Sequence, residues 1–573
     1  MKIYLLLFLN LYLIGSISLS QKKEQYNLKG SSLSLDKSED NLNQKDSNLK
    51  LADGEFNSSE IMELESDFII TQIRWNKKED YDLNYLLGIF EGANDPSFKD
   101  AVPLGMIKGE IKVVNYIDVN TSNTYKYVRY IPPNKNCSDI SPVKISGGKK
   151  IENSEENENK KVFQATNLPL VYIYTENKTN PTQIYHKFNC TVLIINEGKI
   201  EINETATIKL RGKSTAIIPT KKPYKLKFNK KQKVLGFEGK FKNWALMANA
   251  FDRSLLRNAL AYKISELIGF EYTPRCTPVD LILNGNYRGN YYICDIIEVG
   301  KNRVNIDKME KTDITKPNIT GGYLMEFDGG VFYEEYYGNK HYKTKKEMIY
   351  KINNPKDDEI CKEQENYIME YLNKVESEVF ARNLENFDLE AFAKFFLVNE
   401  YCGDIDFLWS SCYFHKKRND DKMYFGPVWD FDLALDNHEA LIPTNEKNFF
   451  CYQRGGSAGT LNKFVATLIE NKDVIKYIQK TWKDLCNTVW NKTILLDFLE
   501  EREENLKESS ELNFLKWDNN KEKIPWEGPN YESEDYGRKG ENFEESVQVL
   551  KDYVKLRFGS LGKLIDNAVA KAK

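Results

Sequence analysis

After its first twenty residues the 573-residue chain has no apolar run near the ~18 residues that a membrane-crossing helix needs, so no transmembrane segment is expected. It also lacks the hydrophobic tail that precedes a lipid anchor, since it ends AVAKAK. Neither sign of charge is in excess: 81 basic against 85 acidic side chains leave −4, so no global charge argues for an anionic membrane as partner and no nucleic acid is expected. Cysteine is scarce and odd in number; nine leave at least one thiol unpaired whatever the others do. Apolar residues are not lacking. At 41 % hydrophobic and 13 % aromatic, most of the chain can fold, and its length exceeds one core and suits two or three domains.

Residues 1–20, MKIYLLLFLNLYLIGSISLS, place a lysine before an apolar stretch and small residues after it, the pattern of a secretory signal peptide. Glycosylation sequons at Asn57, Asn120, Asn136, Asn177, Asn189, Asn203, Asn318 and Asn491 agree with export, so a secreted or cell-surface glycoprotein is expected. Disulfides are permitted there. Cys276 with Cys294, and Cys402 with Cys412, are candidate pairs.

Residues 21–64 are polar and charged and read as a disordered spacer. Over 65–148 short strand-like runs (DFIITQIRW, YLLGIFEGAND, AVPLGMIKG, YKYVRYIPP) alternate with turn residues, which predicts a β-sandwich. A charged linker follows at 149–165. Then LPLVYIYTE, CTVLIINEG, TATIKLRGKST and KPYKLKFNK read as strands, and in YKLKF the lysines Lys225 and Lys227 share one face. A helix is expected from Arg253 to Gly269, with Asp252 as its N-cap. Asn284-Gly285 marks a hairpin turn. Beyond residue 360 the periodicity becomes helical, in EQENYIMEYLNKVESEVFARN, LEAFAKFFLVNEY, LNKFVATLIENKDVIKYIQKTWKDLCNTV and the last thirty residues. The expected class is α+β, with a β-rich lobe over 166–350, a helical lobe over 351–573 and a cleft between them.

Residues 401–437 hold the chemistry. Asp404, Asp406, Asp430, Asp432 and Asp436 stand among aromatics, and the turn KKRNDD separates CYFHK from KMYFGPVW. Such a hairpin brings Asp404 and Asp406 near Asp430 and Asp432. Clustered carboxylates beside apolar residues are costly unless cations neutralise them, and oxygen ligands favour Mg²⁺, Mn²⁺ or Ca²⁺ over zinc.

GIFEGANDPSF followed by TYKYVRYIPPNKNCSDISPVKISG resembles a discoidin-type, galactose-binding-like jelly roll, which implies possible glycan partners through its loops. LRGKST with KKPYKLKF, then NWALMANAFDRSLLRNALAY, LNGNYRGNYYICDII and PVWDFDLA, in that order, resemble the spore-coat-protein-H (CotH) kinase family. The resemblance implies a bilobal atypical protein-kinase-like domain over 166–573, secreted, binding ATP and Mg²⁺ or Mn²⁺ and phosphorylating a protein substrate. It implies Asp406 as catalytic base and Asp430, with Asp432, as metal ligands. Lys225 is the phosphate lysine it suggests, with Lys222 and Lys227 as alternatives, and Arg211, Gly212 and Ser214 form the phosphate-facing turn. The pattern departs at Ser411, where the kinase motif has Asn, and no His-Arg precedes Asp406. A second reading therefore stays open: a non-catalytic surface or matrix protein used for adhesion or glycan binding.

Overall fold

A computed structural model describes residues 50–572 except 57–60, 65–67, 78–84, 134–139, 141–142, 150–160, 218, 329–339, 405–406, 408, 438–448, 451–458 and 518–539. The signal-peptide segment and Asp406 lie outside the described residues, as does most of the linker.

The N-terminal part is two four-stranded antiparallel sheets. One takes β1 (Lys50–Phe56), β8 (Val143–Lys149), β3 (Phe68–Asn76) and β6 (Val114–Asp118) in that order. The other takes β2 (Met62–Glu63), β7 (Tyr127–Ile131), β4 (Ile89–Ala93) and β5 (Val102–Met106). Phe68, Ile70, Ile73 and Trp75 of β3 enter the shared core. Ile70 and Ile73 both point inward because the register slips between Ile70 and Gln72, a bulge that shifts the alternation by one residue. β1 and β2 fall inside the stretch read as a disordered spacer. That expectation rested on side-chain polarity, whereas LADGEF is held by backbone pairing, which polarity does not report.

Seven strands then close into a barrel: β9 (Leu170–Thr175), β10 (Phe188–Asn196), β11 (Lys199–Leu210), β12 (Tyr224–Gln232), β13 (Phe241–Met247), β14 (Cys276–Leu283) and β15 (Asn286–Asp295). Closure is made by the parallel pairing of β9 with β14. The expected turn joins β14 and β15, with Asn284 at φ 53° and Gly285 at φ 72°. Inward residues such as Val171, Val192, Ile208, Leu226, Leu246 and Ile293 fill the interior.

A five-stranded sheet, in the order β17 (His341–Lys343), β18 (Ile349–Asn354), β16 (Tyr323–Phe327), β19 (Cys412–Lys416), β20 (Tyr424–Phe425), holds the expected acidic hairpin as its β19–β20 edge. The described helices are α1 (Ser214–Ile217), α2 (Arg257–Ile268), α3 (Lys362–Phe380), α4 (Leu389–Cys402), α5 (Gly459–Ile469), α6 (Lys472–Cys486), α7 (Lys492–Lys516) and α8 (Phe543–Lys571). α4 is the central one: Asp388 caps it through the N–H of Ala391, and Phe392, Phe395 and Phe396 are buried along it. The run read as one amphipathic segment breaks into α5 and α6, because the Asn471 side chain accepts the N–H groups of Asp473 and Val474 and starts a new helix. None of the described helices is long and apolar enough to cross a membrane.

The sandwich is packed onto the barrel. Leu87, Ile89, Phe98 and Met106 share an apolar core with Leu170, Tyr172, Leu193 and Ile282. Within it Glu91 is fully buried and accepts from Arg129 Nε (2.9 Å) and Nη2 (2.6 Å) and from the hydroxyls of Tyr172 and Tyr174. Arg129→Met leaves that carboxylate buried without its cation, which should cost about 3–5 kcal/mol. Urea unfolding of the full chain measures this; a loss below ~1 kcal/mol would mean that water reaches Glu91.

Candidate active site

β12 sends Tyr224, Leu226 and Phe228 into the barrel and Lys225 and Lys227 outward. The register sets Lys225 directly opposite Lys209 of β11. Like charges facing each other across two strands repel. Arg211 follows at the end of β11, and among the described residues none of Lys209, Arg211 and Lys225 has an ion-pair partner. Burial pushes Lys225 down to about 8; Lys209, Arg211 and Lys227 act in the same direction and Glu298 opposes them. Lys209 is lowered too, by burial first and then by Lys187 and Lys351.

The chain turns sharply after Arg211. Gly212 has φ 91°, and a Cβ there would sit 2.1 Å from Thr215 Oγ1, so the turn requires glycine. Ser214 opens the single turn α1. Lys213, between them, pairs with the buried Asp328 just beyond β16, whose other oxygen lies 3.3 Å from His341 Nε2. Burial pushes the Asp328 carboxyl up, but the His341 hydrogen bond and the Lys213 charge together hold it below the usual carboxylate range.

Asp430 arrives from the other direction, at the end of the hairpin. It has φ 74°, and Ser411, just before the first hairpin strand, donates to its Oδ2 at 3.2 Å. Part of Asp430 reaches solvent, but protein atoms surround the carboxyl. Burial raises its pKa; Arg211, Ser411 and Lys213 pull it back, and Glu326 adds to the rise. Beside it the buried Trp429 contacts the Arg211 guanidinium (5.2 Å to the ring centre) and the Tyr262 ring (5.9 Å). The Phe431 N–H donates to Asn258 of α2 at 2.9 Å. Asp432 is buried, and its backbone carbonyl accepts from Asn437.

The structure thus gathers Arg211, Gly212 and Asp430, with Lys213 bridging to Asp328, between the barrel wall and the five-stranded sheet. Lys225 belongs to the same cationic strip, one step along it. Arg211 and Lys213 are the cations that pull the Asp430 carboxyl down most. Lys213, Glu326, Asp328 and Tyr262 are the residues that sequence reasoning passed over. The run LMEFD puts Glu326 and Asp328 on one face of β16 and would have revealed them.

Asp252 does not cap a helix at Arg253. α2 starts four residues later, and the Asp252 Oδ2 accepts the N–H of Arg257 at 2.8 Å while Oδ1 takes Ser254. Arg257 is fully buried. It pairs with Asp252 and donates to the carbonyl of Ala434, so it anchors the segment after Asp432.

Among the described residues no three His, Cys, Asp or Glu side chains converge as a ready ligand set. Asp430 nevertheless suits a hard cation: its oxygens are the right donors, and a bound cation would offset the burial that raises its pKa. A cavity of about 480 Å³ lies elsewhere, where Tyr125 and Asn120 of the sandwich meet Phe163 and Glu197, and none of the site residues lines it.

The family model described as CotH, CotH kinase protein, matches residues 208–561, more than half of the chain, and takes in Arg211 through Asp432. Among solved structures the chain is similar to CBM62 from Clostridium thermocellum Xyl5A, with 31 % identity, 14 % of this chain and 60 % of that one covered, and a TM-score of 0.14. No curated protein matches.

The Lys225 shift can be tested on the protein alone. Its folded pKa, about 8, lies below the ordinary 10.5, so the unfolded chain binds more protons between those values and stability rises with pH across that window. Lys225→Met removes the cost of burying the charge. The variant should melt higher than wild type at pH 7, and the gap should narrow as pH climbs from 8 towards 10.5. A gap that stays constant over that range would show that Lys225 is not the titrating group.

Proposed function

Because the chain belongs to the CotH kinase protein family, we propose that it is a secreted atypical protein kinase. It transfers the γ-phosphate of ATP, with Mg²⁺ or Mn²⁺, to serine or threonine of proteins in the secretory route or outside the cell. The observation that carries this reading is the strip of Lys209, Lys225 and Arg211: two lysines opposed across strands, an arginine beside them, and, among the described residues, no carboxylate paired with any of the three. Such a strip is costly in the free protein and is neutralised by a polyphosphate.

In this reading the cationic strip binds and orients the phosphates, and the Gly212 turn lets the backbone approach them closely. Asp430, with Asp432, would hold the divalent cation, and Ser411 orients the Asp430 carboxylate through its hydroxyl. The cation, when bound, neutralises charge on the phosphate oxygens. Arg211 stays over Trp429 and offers its N–H groups to anionic oxygen. Lys213 is held by Asp328 and so keeps a fixed position and charge beside the same turn. Asp406 is assigned the acceptor side, where its carboxylate takes the proton of the substrate hydroxyl. Export rests on the leading apolar segment and on the sequons, of which Asn120, Asn177, Asn189, Asn203 and Asn318 are exposed.

Two substitutions separate ligand from base. Asp430→Asn keeps size and removes a hard anionic donor, so ATP–Mg²⁺ binding measured by calorimetry should weaken at least ~10-fold and transfer should fall by ~10²-fold or more. Asp406→Asn should leave binding near wild type while transfer collapses. Equal ATP affinity in wild type and Asp430→Asn would remove the ligand assignment, and a wild-type chain that binds no nucleotide would overturn the kinase reading.

A further inference from the structure

The barrel wall behind the site carries two cysteines in an unusual relation. Cys276 opens β14 and Cys294 lies near the end of β15, and the register sets them directly opposite each other. The next pair along, Arg275 with Asp295, is the hydrogen-bonded one, since the Asp295 N–H donates to the Arg275 carbonyl at 2.9 Å. Cys276 and Cys294 therefore occupy a non-hydrogen-bonded position, where antiparallel backbones come closest, with Cα atoms about 4.5 Å apart. That spacing falls inside the range a disulfide spans. Both side chains point out of the barrel, and their thiols are within hydrogen-bonding reach of each other.

Their surroundings tie them to the site. Cys294 is fully buried, and Cys276 is half-buried at the margin of the helical core. Tyr262 of α2 shares the buried core that Cys294 belongs to and Cys276 borders, and its ring stacks on Trp429, next to Asp430. The outer face of the β14–β15 wall thus enters the same core as Tyr262 and Trp429.

We propose that Cys276 and Cys294 close into a cross-strand disulfide that braces this wall. The oxidant is itself a disulfide, of a small thiol such as glutathione or of a protein. The half-exposed Cys276, as thiolate, attacks one sulfur of that disulfide, forms a mixed disulfide and releases one thiol. Cys294 then gives up its proton and attacks the Cys276 sulfur, and the second thiol leaves. Two protein thiols and one external disulfide become one protein disulfide and two external thiols, so atoms and electrons balance. Burial raises the Cys294 thiol well above its ordinary range, which makes the second step the slow one.

The test uses the full chain, reduced and then incubated with oxidised glutathione. Free thiols are alkylated and the protein is digested without reductant. Mass spectrometry should find one linked peptide joining Cys276 to Cys294, two hydrogens lighter than its reduced parts. Finding both cysteines alkylated, or Cys276 joined to another cysteine, would overturn the pairing. A second measurement addresses the brace and needs no nucleotide. Dithiothreitol should lower the melting temperature of the oxidised wild type by a few degrees. It should leave the variant C276A/C294A unchanged. Equal falls in both proteins would place the reducible bond elsewhere and end the bracing role. Neither readout involves phosphate transfer, so the inference stands or falls apart from the kinase reading.

Discussion

Closing seven strands into a barrel fixes what everything else in this chain must do. Closure leaves every second residue of every strand pointing outward, and wherever those residues are apolar they need a cover. The sandwich covers one flank, over Leu170, Tyr172 and Tyr174 of β9, Leu193 and Ile195 of β10 and Ile282 of β14. The helical body covers another, over Ala245 and Met247 of β13 and Tyr292 and Cys294 of β15. β11 and β12 stand between these flanks in the strand order, and there the outward residues change character to Thr207, Lys209, Lys225 and Lys227. The candidate site is the stretch of barrel wall that neither cover occupies.

Electrostatics then decides what can sit on that wall. The nearest acids belong to the five-stranded sheet and the segment after it, and most are already committed. Asp328 is held by Lys213 and His341, and Glu326 faces Asn353 and, at 4.0 Å, Lys351. Asp430 has a raised pKa in spite of Arg211, because burial outweighs the pull of the cations beside it. The opposed lysines are a cost to stability carried at a place where a ligand of opposite sign would relieve it. Cost without structural return is the usual signature of a group kept for binding.

Much of this was legible in the residues. Alternation in YKLKF gave the correct outward face for Lys225, Asn284-Gly285 gave the β14–β15 turn, and KKRNDD gave the β19–β20 hairpin that carries Asp430 to the wall. What was hidden has a common physical cause. Barrel closure depends on the parallel register of β9 with β14, over 100 residues apart, which no local pattern encodes. The Lys213–Asp328 pair spans 115 positions and is likewise non-local. The start of α2 was misplaced because Asp252 looks like an N-cap; its carboxylate in fact serves Ser254 and Arg257 inside an irregular turn, a use of the same hydrogen-bonding capacity that sequence cannot distinguish. The polar stretch 21–64 was read as unstructured, yet LADGEF within it pairs with β8, a partner about ninety residues away that its own composition does not announce.

Two buried lysines on the same barrel show why partners, and not pKa alone, mark a functional group. Burial pushes Lys221 down to about 7, further than Lys225 at about 8. Yet the Lys221 amine donates to the carbonyl of Asn290 and to Asn513 of α7, and it lies 4.8 Å from the centre of the Tyr291 ring. Asn290 continues to Ser509, and Ser509 to the buried Asp280, so the whole set fastens α7 to β14 and β15. Every donor of that amine is accounted for within the fold, and a neutral amine serves there as well as an ammonium does. Among the described residues Lys225 has no such set. Its charge is opposed by Lys209 across the strand and answered only weakly by Glu298, whose oxygens are already bound to Arg303 and Asn243. The more perturbed lysine is therefore structural, and the less perturbed one is the better candidate for touching a ligand, because only its hydrogen-bonding capacity remains unused.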